Sequence, residues 1–187
     1  MTKEIVDWVD KKRIYTQTGP RKEIPKGQEI SEYKQSVHTW IINDEGKFLM
    51  QKRAATKKHF PNKWSQTGGG IMHNETSIDA VIRECYEELG INVNPEYLEL
   101  KLSFQREFDY VDVYILYQDI NIADIVYQES EVSDAKYFTK EEIEDMIKND
   151  ELAPSVAAYF GMLLLCIDKT FDTHYIKVLK RPQKNSI

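Results

Sequence analysis

The chain has 187 residues, 41% of them hydrophobic and 30% charged, a size and balance that suit one folded domain and exclude disorder as the main state. Its formal net charge is −6, from 31 acidic and 25 basic residues. That argues against a broad nucleic-acid surface, which needs a basic stripe, but not against a phosphate substrate, because bound divalent cations supply local positive charge.

The longest apolar run, Val156 to Ile167, is broken by Gly161 and falls short of the roughly 20 residues of a membrane span. No basic leader followed by an apolar segment opens the chain, so no secretory signal is expected. Cys85 and Cys166 belong to no Cys-x-x-Cys pair. They read as two reduced, buried thiols of a cytoplasmic protein.

In chain order, residues 1–35 mix short apolar pieces with a Gly/Pro-punctuated segment from Gly19 to Gly27, and an irregular extension with one or two short strands is expected. Ser36 to Ile42 is β-branched and aromatic, Lys47 to Gln51 alternates, and Asn43-Asp44-Glu45-Gly46 between them has turn chemistry, so the pair predicts a hairpin. A loop rich in Lys, His and Pro then ends in Gly68-Gly69-Gly70. Thr76 is a candidate N-cap with Asp79 in the first turn, and the helix it starts should stop at Gly90 after Leu89. Phe104 to Ile120 reads as strand and Asp134 to Phe138 as a further short one. Helices are expected over Lys140–Lys148 and Pro154–Lys169, before a polar, basic tail from Phe171 to Ile187. With no repeat or low-complexity tract, residues 1–187 are expected to form a single α/β domain with a mixed sheet.

The chemistry concentrates after Gly69. Ile78, Ile82, Cys85 and Leu89 recur at helical spacing as one apolar stripe. Glu84, Glu87 and Glu88 stand at i, i+3 and i+4, which gathers their carboxylates on another face. Three like charges there repel one another, and a divalent cation converts the repulsion into coordination. The triple glycine ahead of the helix lets backbone approach a phosphate or metal closely.

Gly69, Glu75, Arg83, Glu84, Glu87, Glu88 and Gly90 match every fixed position of Gly-x5-Glu-x7-Arg-Glu-U-x-Glu-Glu-x-Gly-U, where U is bulky and apolar. Seven such matches arise by chance at roughly 10⁻⁹ per starting point. The chain thus resembles the Nudix hydrolases over this stretch, and more loosely from Glu32 to Ile167. Cys85 at the first U position is a mild departure and reads as a core residue.

The resemblance implies an α/β/α sandwich with a mixed sheet, and hydrolysis of a diphosphate linkage in a nucleoside-diphosphate-like small molecule. It implies Mg2+ or Mn2+ held by Glu84, Glu87 and Glu88, joined by the carbonyl of Gly68. Glu75 and Arg83 would orient the loop and the helix, and Gly69, Gly70 and Arg53 would approach the substrate. The proton-accepting group would be a signature glutamate, Glu87 or Glu88, or Glu131 on the loop before a late strand, in preference to Glu129. Dimerisation, common in the family, is expected; a nucleic-acid or membrane partner is not.

Gln51 to Trp64 also resembles isopentenyl-diphosphate isomerase, which shares the fold. That enzyme carries a Cys-Gly-His stretch after the equivalent tryptophan, where this chain has Gly68-Gly69-Gly70. Glycine offers no acid, base or side-chain ligand, so the isomerase ranks second. A non-catalytic Nudix-fold nucleotide sensor ranks with it, because such modules commonly lose signature glutamates and none is missing here. His38, His59, His73 and His174 show no zinc spacing. His73 reads as an exposed loop residue, Trp64 as core, and Phe104, Phe108, Tyr110, Tyr114 and Tyr117 as sheet residues.

Overall fold

The computed structural model describes residues 4–25 and 27–167. A hairpin of β1 (Ile5–Val9) and β2 (Tyr15–Pro20) comes first. Then follow β3 (Lys34–Ile42), β4 (Phe48–Arg53), β5 (Trp64–Ser65), β6 (Thr67–Gly70), α1 (Ser77–Leu89), β7 (Leu98–Gln105), β8 (Asp109–Tyr117) and β9 (Val132–Phe138). The helices α2 (Lys140–Lys148), α3 (Pro154–Ala157) and α4 (Phe160–Ile167) end the described chain. No helix among the described residues is long and apolar enough to cross a membrane.

Strands β3 to β9 form one sheet in the order β5-β4-β3-β8-β7, with β6 also on β3 and β9 also on β4. Strands β3 and β8 run parallel and the other strand pairs antiparallel, so the sheet is mixed. Alternation along the strands sorts side chains to two covered faces. Trp40, Phe48, Met50 and Val113 pack with Ile143 of α2, Val156 of α3 and Phe160 of α4. Val37, Ile41, Leu49 and Leu116 pack with Val81, Cys85 and Leu89 of α1. The expected α/β/α sandwich is therefore the architecture. With both faces covered, β8 is buried without a break from Tyr110 to Leu116.

One edge of β3 is divided. Ile41 and Ile42 pair with β4, whereas Ser36 to Thr39 pair with Thr67 to Gly70 of β6. The sheet consequently forks between β4 and β6, and this fork positions the site.

Several expectations are corrected. The glycine run is a strand, β6, rather than a loop. Glycine has little strand propensity, but a Cβ on Gly68 would lie 2.2 Å from the carbonyl oxygen of Val37, so this pairing accepts no side chain there. The strand expected over Phe104–Ile120 is instead β7 and β8, turned back on each other where Arg106 N–H donates to the Asp109 carbonyl at 2.7 Å. The last helix is broken into α3 and α4. Its expected end at Lys169 and the tail from Phe171 lie outside the described residues. Ile78 is 41% exposed, and α1 is buried through Ala80, Val81, Cys85, Glu88 and Leu89. Cys85 is buried as expected, but Cys166 is only half-buried.

Candidate active site

The register of α1 is fixed at both ends. The Thr76 side chain accepts from Asp79 N–H at 3.1 Å while Thr76 N–H donates to the Asp79 carboxylate at 2.9 Å, a reciprocal cap. Gly90 closes the helix at φ 68°, a left-handed position that suits glycine. These caps set where each signature side chain points.

Arg83 is the hub. Its Nε and Nη2 donate to the two Glu75 oxygens at 2.6 and 2.9 Å, Nη2 also to the Gly70 carbonyl at 2.8 Å, and Nη1 to Glu84 at 2.6 Å and Glu87 at 3.1 Å. Burial opposes the ionisation of Glu75, but Arg83 and the Met72 N–H outweigh it and hold its carboxyl below the usual range. For Glu84 burial wins, and its carboxyl is raised despite Arg83.

Glu84, Glu87 and Glu88 gather toward one cavity as expected, but Glu88 lies deepest: it is 5% exposed and reaches into the fork of the sheet. Gln51 Nε2 of β4 donates to it at 2.9 Å and Gly68 N–H of β6 at 3.2 Å. Both partners are neutral. Burial, followed by the Glu84 charge, pushes its carboxyl up to about 8.

Glu131, half-buried just before β9, pairs with Lys57. A cavity of about 280 Å³ is lined by Glu84, Glu87, Glu88 and Glu131 together with Arg53, Lys57, Gly68, Gly69 and Arg83. Gly70 and Glu75 are not in its wall and act through Arg83. Glu129 is exposed and does not line it. A Cβ on Gly69 would fall 2.1 Å from Glu84 Oε1, so glycine there leaves room for the carboxylate.

Sequence reasoning missed Gln51, Lys57, Glu4 and Arg21, all of which contact the site or its wall. Gln51 had a signal, a polar side chain closing the apolar run Phe48-Leu49-Met50. Glu4 and Arg21, paired at 2.6 Å, are brought by the N-terminal hairpin and had none.

Among the described residues, no three His, Cys, Asp or Glu side chains converge as a ready ligand set. The donor chemistry nonetheless fits Mg2+ or Mn2+: several carboxylates face one cavity, and Glu88 lies buried without a countercharge, the condition a hard divalent cation relieves.

A larger cavity of about 580 Å³ adjoins the first and shares Arg21, Arg53, Gly68 and Gly69 as lining. Ser36 and His38 of β3 form part of its wall, with Phe60 and Phe108 beside them. Phe108 thus belongs to the β7–β8 turn and this cleft, not to the sheet. Trp64 is core as expected, 4.8 Å from Phe138 in an edge contact. His73 is an exposed loop residue as expected, tied to β1: its backbone N–H donates to the Ile5 carbonyl and Nδ1 lies 2.9 Å from Asp7.

His38 is buried and pushed down to about 3 by desolvation, so it is neutral. Trp40 Nε1 donates to the Tyr159 hydroxyl at 3.0 Å, and His38 Nδ1 lies 2.7 Å from that hydroxyl. All three groups are satisfied when Tyr159 donates to Nδ1, which leaves the ring proton on Nε2.

A family model described as NUDIX domain matches residues 32–159. The uncharacterized Nudix hydrolase lmo0368 of Listeria monocytogenes is 35% identical over 119 residues, 63% of this chain and 70% of that protein. An isopentenyl-diphosphate Delta-isomerase of Shigella flexneri is 40% identical, but over 58 residues only, 30% of this chain and 32% of that protein. The crystal structure of DR0079 from Deinococcus radiodurans superposes with a TM-score of 0.65 at 22% identity, covering 80% of this chain and 92% of that one.

Proposed function

The chain belongs to the Nudix family, and from that premise we propose that it is a divalent-metal pyrophosphohydrolase acting on a diphosphate linkage in a nucleoside-diphosphate-linked or similar small molecule. The observation that carries this reading is the cavity in which Glu84, Glu87, Glu88 and Glu131 meet beside Gly68 and Gly69. In it Glu84, Glu87 and Glu88, with the Gly68 backbone, would hold Mg2+ or Mn2+. When bound, such an ion neutralises phosphate oxygens and acidifies water.

The chain's own residues do the rest. Arg83 fixes Glu84 and Glu87 in direction. Arg53, shared by both cavities, meets the diphosphate where the two join. Glu131, oriented by Lys57, takes the proton of the water that attacks phosphorus. One P–O bond forms as the bridging P–O bond breaks, and the products are two phosphate esters. Most of the acceleration comes from positioning and fixed charge.

The isomerase reading has only partial support in similarity and none in the site. The positions of its Cys-Gly-His stretch are glycine here, and Cys85 is buried in the core, its thiol raised by burial.

The test is a screen of the purified protein with Mg2+ and Mn2+ against nucleotide sugars, ADP-ribose, NADH, dinucleoside polyphosphates, coenzyme A and isopentenyl diphosphate. Glu87→Gln and Glu131→Gln run in parallel. Turnover of a diphosphate that EDTA and Glu87→Gln abolish supports the proposal. Isomerised isopentenyl diphosphate, or tight nucleotide binding with no turnover of any compound, would overturn it.

A further inference from the structure

Lys34, Ser36 and His38 alternate along the start of β3 and line the larger cleft. Lys34 touches this cleft alone, whereas Arg53 lines both cavities. Asp109, the partner of Lys34 in the β3–β8 register, is already committed. Arg106 grips both of its oxygens, at 2.8 and 2.6 Å, and the Ser36 hydroxyl donates to it at 2.9 Å. Both oxygens of Glu23 are in turn held by Lys58 at 2.7 Å. Among the described residues Lys34 forms no ion pair, although it is half-buried.

The charge around it is also one-sided. The cleft wall carries Arg21, Lys34, Arg53 and Arg106 against Glu107 and Asp109; with Arg21 paired to Glu4 and Arg106 to Asp109, Lys34 and Arg53 remain against Glu107. Burial, followed by the Arg21 charge, holds the Lys34 ammonium below its usual pKa. A half-buried cation in positive surroundings is costly unless an anion joins it. The neutral Nε2–H of His38 and the buried Gln66 add uncharged polar groups to the same wall.

We propose that Lys34 and the cleft around it bind a second anionic group of the substrate, a phosphomonoester or a carboxylate carried on the organic arm away from the diphosphate. This rests on the reading of the glutamate cavity as the diphosphate site. The substrate is then a diphosphate with charge at both ends, and Phe60 and Phe108 flank the arm between them.

Two matched pairs test it: NADPH against NADH for a phosphomonoester, and UDP-glucuronate against UDP-glucose for a carboxylate. Binding is measured by calorimetry in Ca2+ and initial rates in Mg2+, for the wild type, Lys34→Gln and Lys34→Arg. The expected result is a preference of about tenfold or more for the charged member of at least one pair, in affinity and in any turnover. Lys34→Gln collapses that ratio and Lys34→Arg keeps most of it. Equal binding within both pairs, a preference that survives Lys34→Gln, or no binding by any of the four overturns the inference. Hydrolysis without preference would do so while leaving the hydrolase intact. A Lys34-dependent binding preference with no turnover of any diphosphate would instead sink the hydrolase and leave the anion site standing.

Discussion

Arg83→Ala removes one side chain on which three carboxylates and a carbonyl depend. Glu75 and Glu84 are only 19% and 14% exposed, so without the guanidinium they face each other with no countercharge. Breaking a buried pair this way costs about 3–5 kcal/mol. Glu87 is half-exposed and adds little, because water screens its pairing. Individual charged hydrogen bonds, at about 1.5–3 kcal/mol each, do not sum, since all share one group. For a chain of this size about 1 kcal/mol moves Tm by roughly 2–4 °C, so metal-free Arg83→Ala should melt roughly 6–20 °C below the wild type. Differential scanning calorimetry at pH 7 in EDTA reads this directly. Arg83→Lys should recover only part of the loss, because an ammonium cannot span the fork of acceptors. Adding Glu84→Gln to Arg83→Ala should restore several degrees by removing the repulsion. A loss under about 3 °C, or no recovery in the double variant, would refute the hub.

Gly69→Ala drives a Cβ into the Glu84 carboxylate and should lower kcat at least tenfold with little change in Tm, as activity and calorimetry on one preparation will show. Gly68→Ala meets backbone instead, and urea unfolding should show a loss of about 1–3 kcal/mol, the range of overpacking. Glu88 has its folded pKa raised above the unfolded value, so its contribution is complete below about pH 4.5 and is lost as pH rises toward about 8. In EDTA, Glu88→Gln should therefore be more stable than the wild type at pH 8 and nearly equal at pH 4.5, while Mg2+ should favour the wild type alone; equal stability at pH 8 counts against the buried charge. Arg13→Ala leaves the Asp112 carboxylate, 5% exposed, without its cation and should cost about 3–5 kcal/mol in urea unfolding.

How far the sequence could be read depended on how local each signal was. Helix α1 was placed to the residue, because Thr76, Asp79 and Gly90 carry their cap chemistry within one turn of its ends. The seven signature positions were legible for the same reason. The strand at Gly68 was not, because what makes it one is the close approach of Val37, thirty-odd positions earlier in the chain. Propensity alone favours a loop there. The burial of Glu88 was equally hidden, since it needs two strands that separate, one supplying Gln51 and the other Gly68. Lys34, Ser36 and His38 did show a period of two in the sequence. The β-branched and aromatic signal begins only at Ser36, so Lys34 falls in the polar stretch ahead of it although β3 starts there.

The N-terminal hairpin precedes the matched segment, which starts at residue 32. Yet Arg21 and Glu4 stand in the cavity wall, Arg13 neutralises a carboxylate of β8, and Asp7 grips His73. Domain boundaries drawn by family likeness would therefore cut through the working unit. A chimera that moved only 32–159 onto another Nudix hairpin would carry over Glu84, Glu87, Glu88 and Glu131 but exchange Glu4, Arg21 and with them one side of the cavity, which makes the first thirty residues a natural place for relatives with the same signature helix to diverge in what they admit.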